Sequence, residues 1–329
     1  MRKSTLEILA CPHCRGDLIL RAREERGEEI ITGGLKCTRC GETYNIIRGI
    51  PRLLPFRETK KLRKMYKYIE QYYDAYAPQY DINYHNPEIE YMRRVEDSCI
   101  LKTRPKGTVL DIGCGVGRQS LMLASLGCEV FALDISKEML TELKRRAELL
   151  GLEDRIEVIQ ASADLLPFKD EIFDRAYAIF GAYNHVPHVK RAFNDLYRVL
   201  KGKSAALLSV LNRYRLMWLL YVILKRRARH FIKTLHSKHG YIVMRAGRER
   251  YRVWTRYFSK SEIENLLKSA GFQDVRTCGV LIFLRPRFSY SSDLRLRGPK
   301  ALLAKLEDLV RFTYPFNALG TYLIVFAYK

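Results

Sequence analysis

The segment TVLDIGCGVGRQSLMLASLG, residues 108–127, constrains the fold of this chain more than any other. An apolar run with strand character passes into glycines at every second position, Gly113, Gly115 and Gly117, and then into a stretch with helical apolar spacing. Glycine lets the backbone turn sharply and approach a ligand that a side chain would hold off. The amides that open the following helix then face that ligand and favour a negative group on it. Strand, glycine turn and helix in this order predict an α/β domain with a mostly parallel sheet and a binding crevice outside the carboxyl ends of its strands.

Two later segments repeat the placement. CEVFALDIS ends an apolar run on Asp134, 23 residues after Asp111, with Ile135 beside it, and an acid there can accept both hydroxyls of a ribose. RIEVIQ leads into ASADLLPFKDEIFD, which sets Asp164 and Leu165 after a third strand. Any one of the three acids alone reads as a helix cap or a solvated turn, whereas three at successive strand ends converge on one crevice.

The form Asp-x-Gly-x-Gly-x-Gly resembles the first motif of class I S-adenosylmethionine-dependent methyltransferases. The resemblance spans roughly residues 105–329. It implies a Rossmann-like α/β sheet of seven strands, mostly parallel with the last antiparallel, and S-adenosylmethionine as cofactor. It assigns cofactor contact to Asp111, Gly113, Gly115, Gly117, Asp134, Ile135, Asp164 and Leu165. Upstream, YYDAYAPQYD resembles the helix that covers the cofactor in many of these enzymes, which adds Tyr80; an aromatic helix buried against the core is the alternative. Residues after the fourth strand face the methyl group in this fold, which nominates Tyr183, Asn184 and His185 as catalytic. His185 is a candidate proton acceptor, or else a histidine that ties down its loop.

Near the N-terminus, CPHC and CTRC place Cys11, Cys14, Cys37 and Cys40 in two pairs separated by 22 residues. Each Cys-x-x-Cys sets two thiolates on one tight knuckle. Two knuckles complete a closed tetrahedral site with no position for water, so a structural zinc ion is expected. Two disulfides or a thiol redox pair are the competing readings, disfavoured by the doubled motif. The text LEILACPHCRGDLIL with LKCTRCGETYNIIRGIPRLLP resembles the small zinc-binding activator subunit of tRNA, rRNA and protein methyltransferases over about residues 5–55. A fused copy implies the same help supplied in cis. The expected organisation is a ribbon over 1–56, a linker with cofactor-covering helices over 57–104, and a catalytic domain over 105–329 with a basic insertion at 213–258.

The chain of 329 residues is 47% hydrophobic and 29% charged, the balance of a globular protein with a full core. Its longest apolar run, residues 216–224, is far below the roughly 20 residues that span a bilayer, and the first residues lack a secretory pattern, so a cytoplasmic protein is expected. The net charge of +22 is concentrated: residues 201–260 hold sixteen Lys and Arg against one acid, Glu249. With the aromatics Tyr214, Trp218, Tyr221, Tyr251, Trp254 and Tyr257 interleaved, the segment predicts RNA, tRNA or rRNA, as the methylated partner. Two other readings stand beside it. One is a small-molecule or lipid methyltransferase resembling quinone-biosynthesis enzymes, with 216–231 as a basic amphipathic helix on an anionic membrane. The other is a non-catalytic RNA-binding scaffold, against which the intact glycine turn and three acids argue.

Overall fold

The computed structural model describes residues 1–54, 57–225, 238–286 and 290–329. The ribbon is a meander of β1 (Leu18–Arg26), β2 (Glu29–Cys37), β3 (Thr43–Ile47) and β4 (Ile50–Leu53). Three helices follow, α1 (Lys60–Tyr76), α2 (Tyr80–Asn83) and α3 (Pro87–Lys102). Strands and helices then alternate through β5 (Thr108–Ile112), α4 (Arg118–Ser125), β6 (Glu129–Asp134), α5 (Lys137–Leu149), β7 (Ile156–Ala161), β8 (Phe173–Ala178), α6 (Val189–Val199) and β9 (Leu200–Leu211). The basic insertion supplies α7 (Leu216–Leu224) and the hairpin β10 (His239–Ala246) with β11 (Glu249–Arg256). After it come α8 (Lys260–Ser269), β12 (Asp274–Val280), α9 (Pro299–Val310) and β13 (Tyr322–Tyr328).

Seven strands form the expected layer in the order β7-β6-β5-β8-β9-β13-β12, with β13 antiparallel to both its neighbours. Every residue of β7 is buried, as a strand covered on both faces must be. The glycine turn leads from β5 into α4, but its third glycine serves packing and not the ligand contact expected of it. Gly117 opens α4 at φ +89°, and a Cβ there would collide with Leu143 of α5, so only glycine lets the two helices close on the sheet. Ser136 caps α5 and Ser259 caps α8, each hydroxyl accepting the amide three residues on.

The sheet does not stop at seven strands. Among the described residues it has eleven, because β4 pairs in parallel with β7, Arg52 opposite Gln160 and Leu53 opposite Ala161, and carries β3, β2 and β1 outward. An edge strand leaves a row of unpaired amides and carbonyls, and the ribbon covers that row. The two parts share one core, in which Leu9, Leu35, Tyr44 and Leu53 pack with Phe131, Phe168 and Phe173. Buried acids of the catalytic domain bind the ribbon directly. Glu157 accepts from the Arg2 amide (2.9 Å) and the Thr5 hydroxyl (2.8 Å), and Asp195 from Arg15 of the first knuckle (2.5 Å).

The four cysteine sulfurs lie within 4.8 Å of one another, with Cys14 to Cys37 at 3.4 Å and Cys11 to Cys40 at 3.7 Å. These separations exceed a disulfide bond by well over an ångström, and they match the edge of about 3.8 Å that a tetrahedron of zinc–sulfur bonds requires. The Tyr44 hydroxyl sits 3.2 Å from the Cys11 sulfur as an outer partner. Purified protein is therefore expected to carry one zinc per chain, lost when Cys37 and Cys40 are replaced together by alanine. Chelation should lower the single thermal transition of the whole chain, since the ribbon has no core of its own; two separate transitions, with the catalytic one unmoved, would contradict the shared core.

Candidate active site

At the carboxyl ends of β5, β6, β7 and β8 lies a cavity of about 340 Å³, within the range of small-molecule and cofactor sites. Its floor is the glycine turn, with Gly113 and Gly115 on the lining beside Leu133, Asp134 and Ile135. A Cβ built on Gly115 would meet nothing nearer than the Tyr80 ring at 3.9 Å, so the open face of this turn belongs to the cavity. Its roof is aromatic: Tyr66 and Tyr73 come from α1, Tyr80 from α2 and Tyr84 from just beyond it. The far wall is built by Phe180, Gly181 and His185 after β8, Ile242 and Met244 of the hairpin, and Arg215, Tyr257 and Tyr322.

Asp134 is the acid the site turns on. Its carboxylate accepts the Gly115 amide (2.9 Å) and the Ser136 amide (2.8 Å), and no cationic side chain pairs with it among the described residues. Burial pushes its pKa up to about 6, with those amides pulling the other way. Lone pairs remain for a ligand's hydroxyls, which is the donor set a nucleoside ribose offers. His185 is fixed by a 3.0 Å bond between Nδ1 and the Trp254 carbonyl. A carbonyl only accepts, so the proton sits on Nδ1 and the lone pair on Nε2. Burial holds this imidazole below its usual range, keeping it neutral at pH 7.

Of the residues nominated from sequence, Gly113, Gly115, Asp134, Ile135, Tyr80 and His185 line the cavity, and six others do not. Asp111 is buried beneath the floor with Ser120 donating to it at 2.6 Å, and Gly117 serves the α4–α5 packing. Asp164 faces away from the cavity into a closed network. The Tyr66 hydroxyl (2.6 Å), the Ser162 hydroxyl (2.6 Å) and Arg191 (2.8 Å) occupy its oxygens, while Ser162 and Ala163 line the cavity and Leu165 does not. Tyr183 turns into the core against Phe193 and Asn184 spends its amide on the Leu211 amide and the Arg256 carbonyl. Both belong to the scaffold of the loop that presents His185.

Several residues of the site have no local signature. Gln160 is fully buried and accepts from Arg52 of β4 (2.6 Å) while donating to Glu70 of α1 (3.0 Å) and to the Ile135 carbonyl (2.9 Å). Glu96 of α3 accepts from Ser209 (2.7 Å), which in turn accepts the Phe180 amide (2.7 Å); burial pushes its pKa up to about 7. Asp74 of α1 accepts from Ser136 (2.7 Å) and the Glu138 amide (3.2 Å), latching the roof to the start of α5.

A ribose clamp at Asp134, the role its strand-end position predicts, requires the ionised carboxylate, so S-adenosylmethionine affinity is then expected to tighten as pH rises through about 6. Asp134→Asn should weaken binding by roughly 1.5–3 kcal/mol and flatten that dependence. The apo protein carries the opposite sign from the same group: a folded-state pKa raised from 3.8 to about 6 contributes stability that is lost as pH rises across that interval. Calorimetry at pH 5 and pH 8 reads the first effect and thermal melts the second.

Residues 109–203 match the family described as methyltransferase domain, and residues 2–49 the family described as Trm112p-like protein. An uncharacterised protein of Methanocaldococcus jannaschii is 36% identical over 230 residues, which is 69% of this chain and 86% of that protein. A ubiquinone/menaquinone biosynthesis C-methyltransferase of Brucella anthropi is 40% identical over 101 residues, covering 30% of this chain and 38% of that enzyme. The solved structure of an S-adenosylmethionine-dependent methyltransferase from Thermotoga maritima shares the fold at 20% identity and a TM-score of 0.50, covering 80% of this chain and 99% of that one. The chain belongs to the class I S-adenosylmethionine-dependent methyltransferases and carries a Trm112p-like ribbon fused ahead of the catalytic fold.

Proposed function

We propose that this methyltransferase acts on a small acceptor with an aromatic or apolar body, taken whole into the cavity, and that His185 receives the proton the acceptor atom gives up. The observation that carries the reading is the enclosure of the acceptor side: tyrosines of α1 and α2 above, Ile242 and Met244 of the hairpin beside. S-adenosylmethionine, when bound, supplies an electrophilic methyl group on a sulfonium. Asp134 would hold its ribose, with the turn at Gly113 and Gly115 passing beneath and Ile135 beside it. The neutral Nε2 of His185 then stands ready to take a proton from an oxygen or nitrogen acceptor at pH 7. Exclusion of water by the aromatic roof adds to positioning as the main source of rate.

A second reading keeps RNA as the acceptor. The outward face of the hairpin carries Tyr241, Arg245, Arg250 and Arg252, all exposed, and a base swung out of its strand would fit an aromatic cavity. Arg226, Arg227 and Arg229 of the basic run lie outside the described residues. A membrane-borne acceptor has its own support in α7, where Ile223 and Leu224 are 56% and 79% exposed next to Lys225.

The readings separate when protein and methyl-labelled S-adenosylmethionine are given fractionated small metabolites, lipids and total RNA from its source cells. Label in the small-metabolite fraction supports the proposal, label in lipid gives the acceptor to the membrane reading, and label confined to RNA overturns it. His185→Gln is expected to lower transfer by about 10²–10⁴-fold with cofactor affinity kept. Because burial depresses the folded pKa, the wild-type rate should stay flat through the ordinary imidazole range and fall only below it; a fall centred at pH 6.5 or above, or a variant of normal rate, removes His185 from the chemistry.

A further inference from the structure

Among the described residues three arginines line the cavity, and two of them are already paired. Arg118 binds Asp97 (2.8 Å) with Glu96 behind it (3.7 Å), and Arg93 lies 4.0 Å from Asp81. Arg215 is different. No carboxylate pairs with it among the described residues, and the stretches 55–56, 226–237 and 287–289 contain no Asp or Glu to offer one. Its Nε is buried without a hydrogen-bond partner. Aromatic rings hold it instead, the Trp218 centroid 5.7 Å and the Tyr257 centroid 5.2 Å from the guanidinium carbon. Burial lowers its pKa, although a guanidinium remains charged at any physiological pH.

Arg215 is half-buried, and its Nε is the buried atom; a buried donor without a partner costs about 1–3 kcal/mol. A fold that leaves one guanidinium unpaired on the wall of its active-site cavity, while pairing the other two, keeps it for something that enters. The position agrees. Arg215 follows β9, three strands along the sheet from the β6 that carries Asp134, and lines the same cavity as His185, so a group it binds belongs to the acceptor side and not to the nucleoside.

We propose that Arg215 is the receptor for an oxyanion on the acceptor, so that the substrate is a small anion whose carboxylate or phosphate pairs with Arg215 while its apolar body lies against Tyr257 and Tyr322. This rests on the small-acceptor reading and narrows it. The planar fork of the guanidinium suits either oxyanion, and the neighbouring Trp218 and Tyr257 rings leave its donors to an incoming group. Arg215 is a specificity residue in this account: it selects and orients, and takes no part in bond making.

Wild-type and variant proteins saturated with S-adenosylhomocysteine can be titrated with benzoate, phenyl phosphate and neutral benzyl alcohol. In the wild type at least one anion should bind about tenfold or more tightly than the alcohol, and which anion is preferred tells carboxylate from phosphate. Arg215→Gln should abolish the preference and Arg215→Lys should keep part of it, with S-adenosylmethionine affinity within twofold of wild type in both. Three results overturn the assignment: equal binding of alcohol and anions by the wild type, a preference that survives Arg215→Gln, or a loss of S-adenosylmethionine affinity in both variants, which would give Arg215 to the cofactor's own carboxylate. The first of these leaves the small-acceptor reading standing, since the rings still enter. Binding of none of the three probes, with methyl label recovered only in RNA, removes both.

Discussion

One buried amide ties the working parts of this enzyme together. Gln160, at the carboxyl end of β7, accepts from Arg52 of the ribbon and donates both to Glu70 of the roof helix and to the carbonyl of Ile135 at the cofactor strand. An amide side chain inside a protein must have its donors and acceptor met, and here each partner comes from a different part of the chain. Ribbon, roof and floor are thus held in one register. Loss of any partner leaves a polar group buried at a cost comparable to a sizeable share of a domain's net stability. The β4–β7 pairing depends on the same spot, because Gln160 is the residue opposite Arg52.

This explains what the ribbon does for the catalytic fold in physical terms. A seven-stranded sheet of this kind ends on β7, the strand that carries Gln160 and leads to Ser162 and Ala163 on the cavity lining. An uncovered edge there would expose the backbone next to the site. The ribbon pairs that edge, and its Arg15 reaches Asp195, which also receives the Leu166 amide of the loop that follows β7 (2.7 Å). A separate subunit that binds such an edge does so at the expense of association entropy, whereas a fused one holds it at high effective concentration.

Much of the fold was legible in the sequence because its signals are local. The glycine turn, the strand that ends on Asp134 and the paired cysteines are each defined within a few residues. The sequence also names Asp164 by its place after a strand, yet nothing near it foretells that Arg191 of α6 and Tyr66 of α1 would occupy its oxygens. Tyr183 and Asn184 illustrate the same limit from the other side: position after β8 brings a residue to the rim, but backbone direction decides that only His185 of the three faces the cavity. Nothing in the sequence distinguishes Arg215 from the rest of the sixteen basic residues in its segment. What sets it apart is that no carboxylate pairs with it among the described residues, and that is visible only in three dimensions.

The roof helix has a temporal meaning. Along α1, Tyr66 is bound to Asp164, Glu70 to Gln160 and Asp74 to Ser136, so three polar latches hold one face of it against the sheet. At about 1 kcal/mol net for each, the shut form outweighs an unlatched one by on the order of a hundredfold. Whatever occupies the cavity beneath that roof is retained by the same three latches, so their strength sets how long it is held as well as how well it is shielded from water.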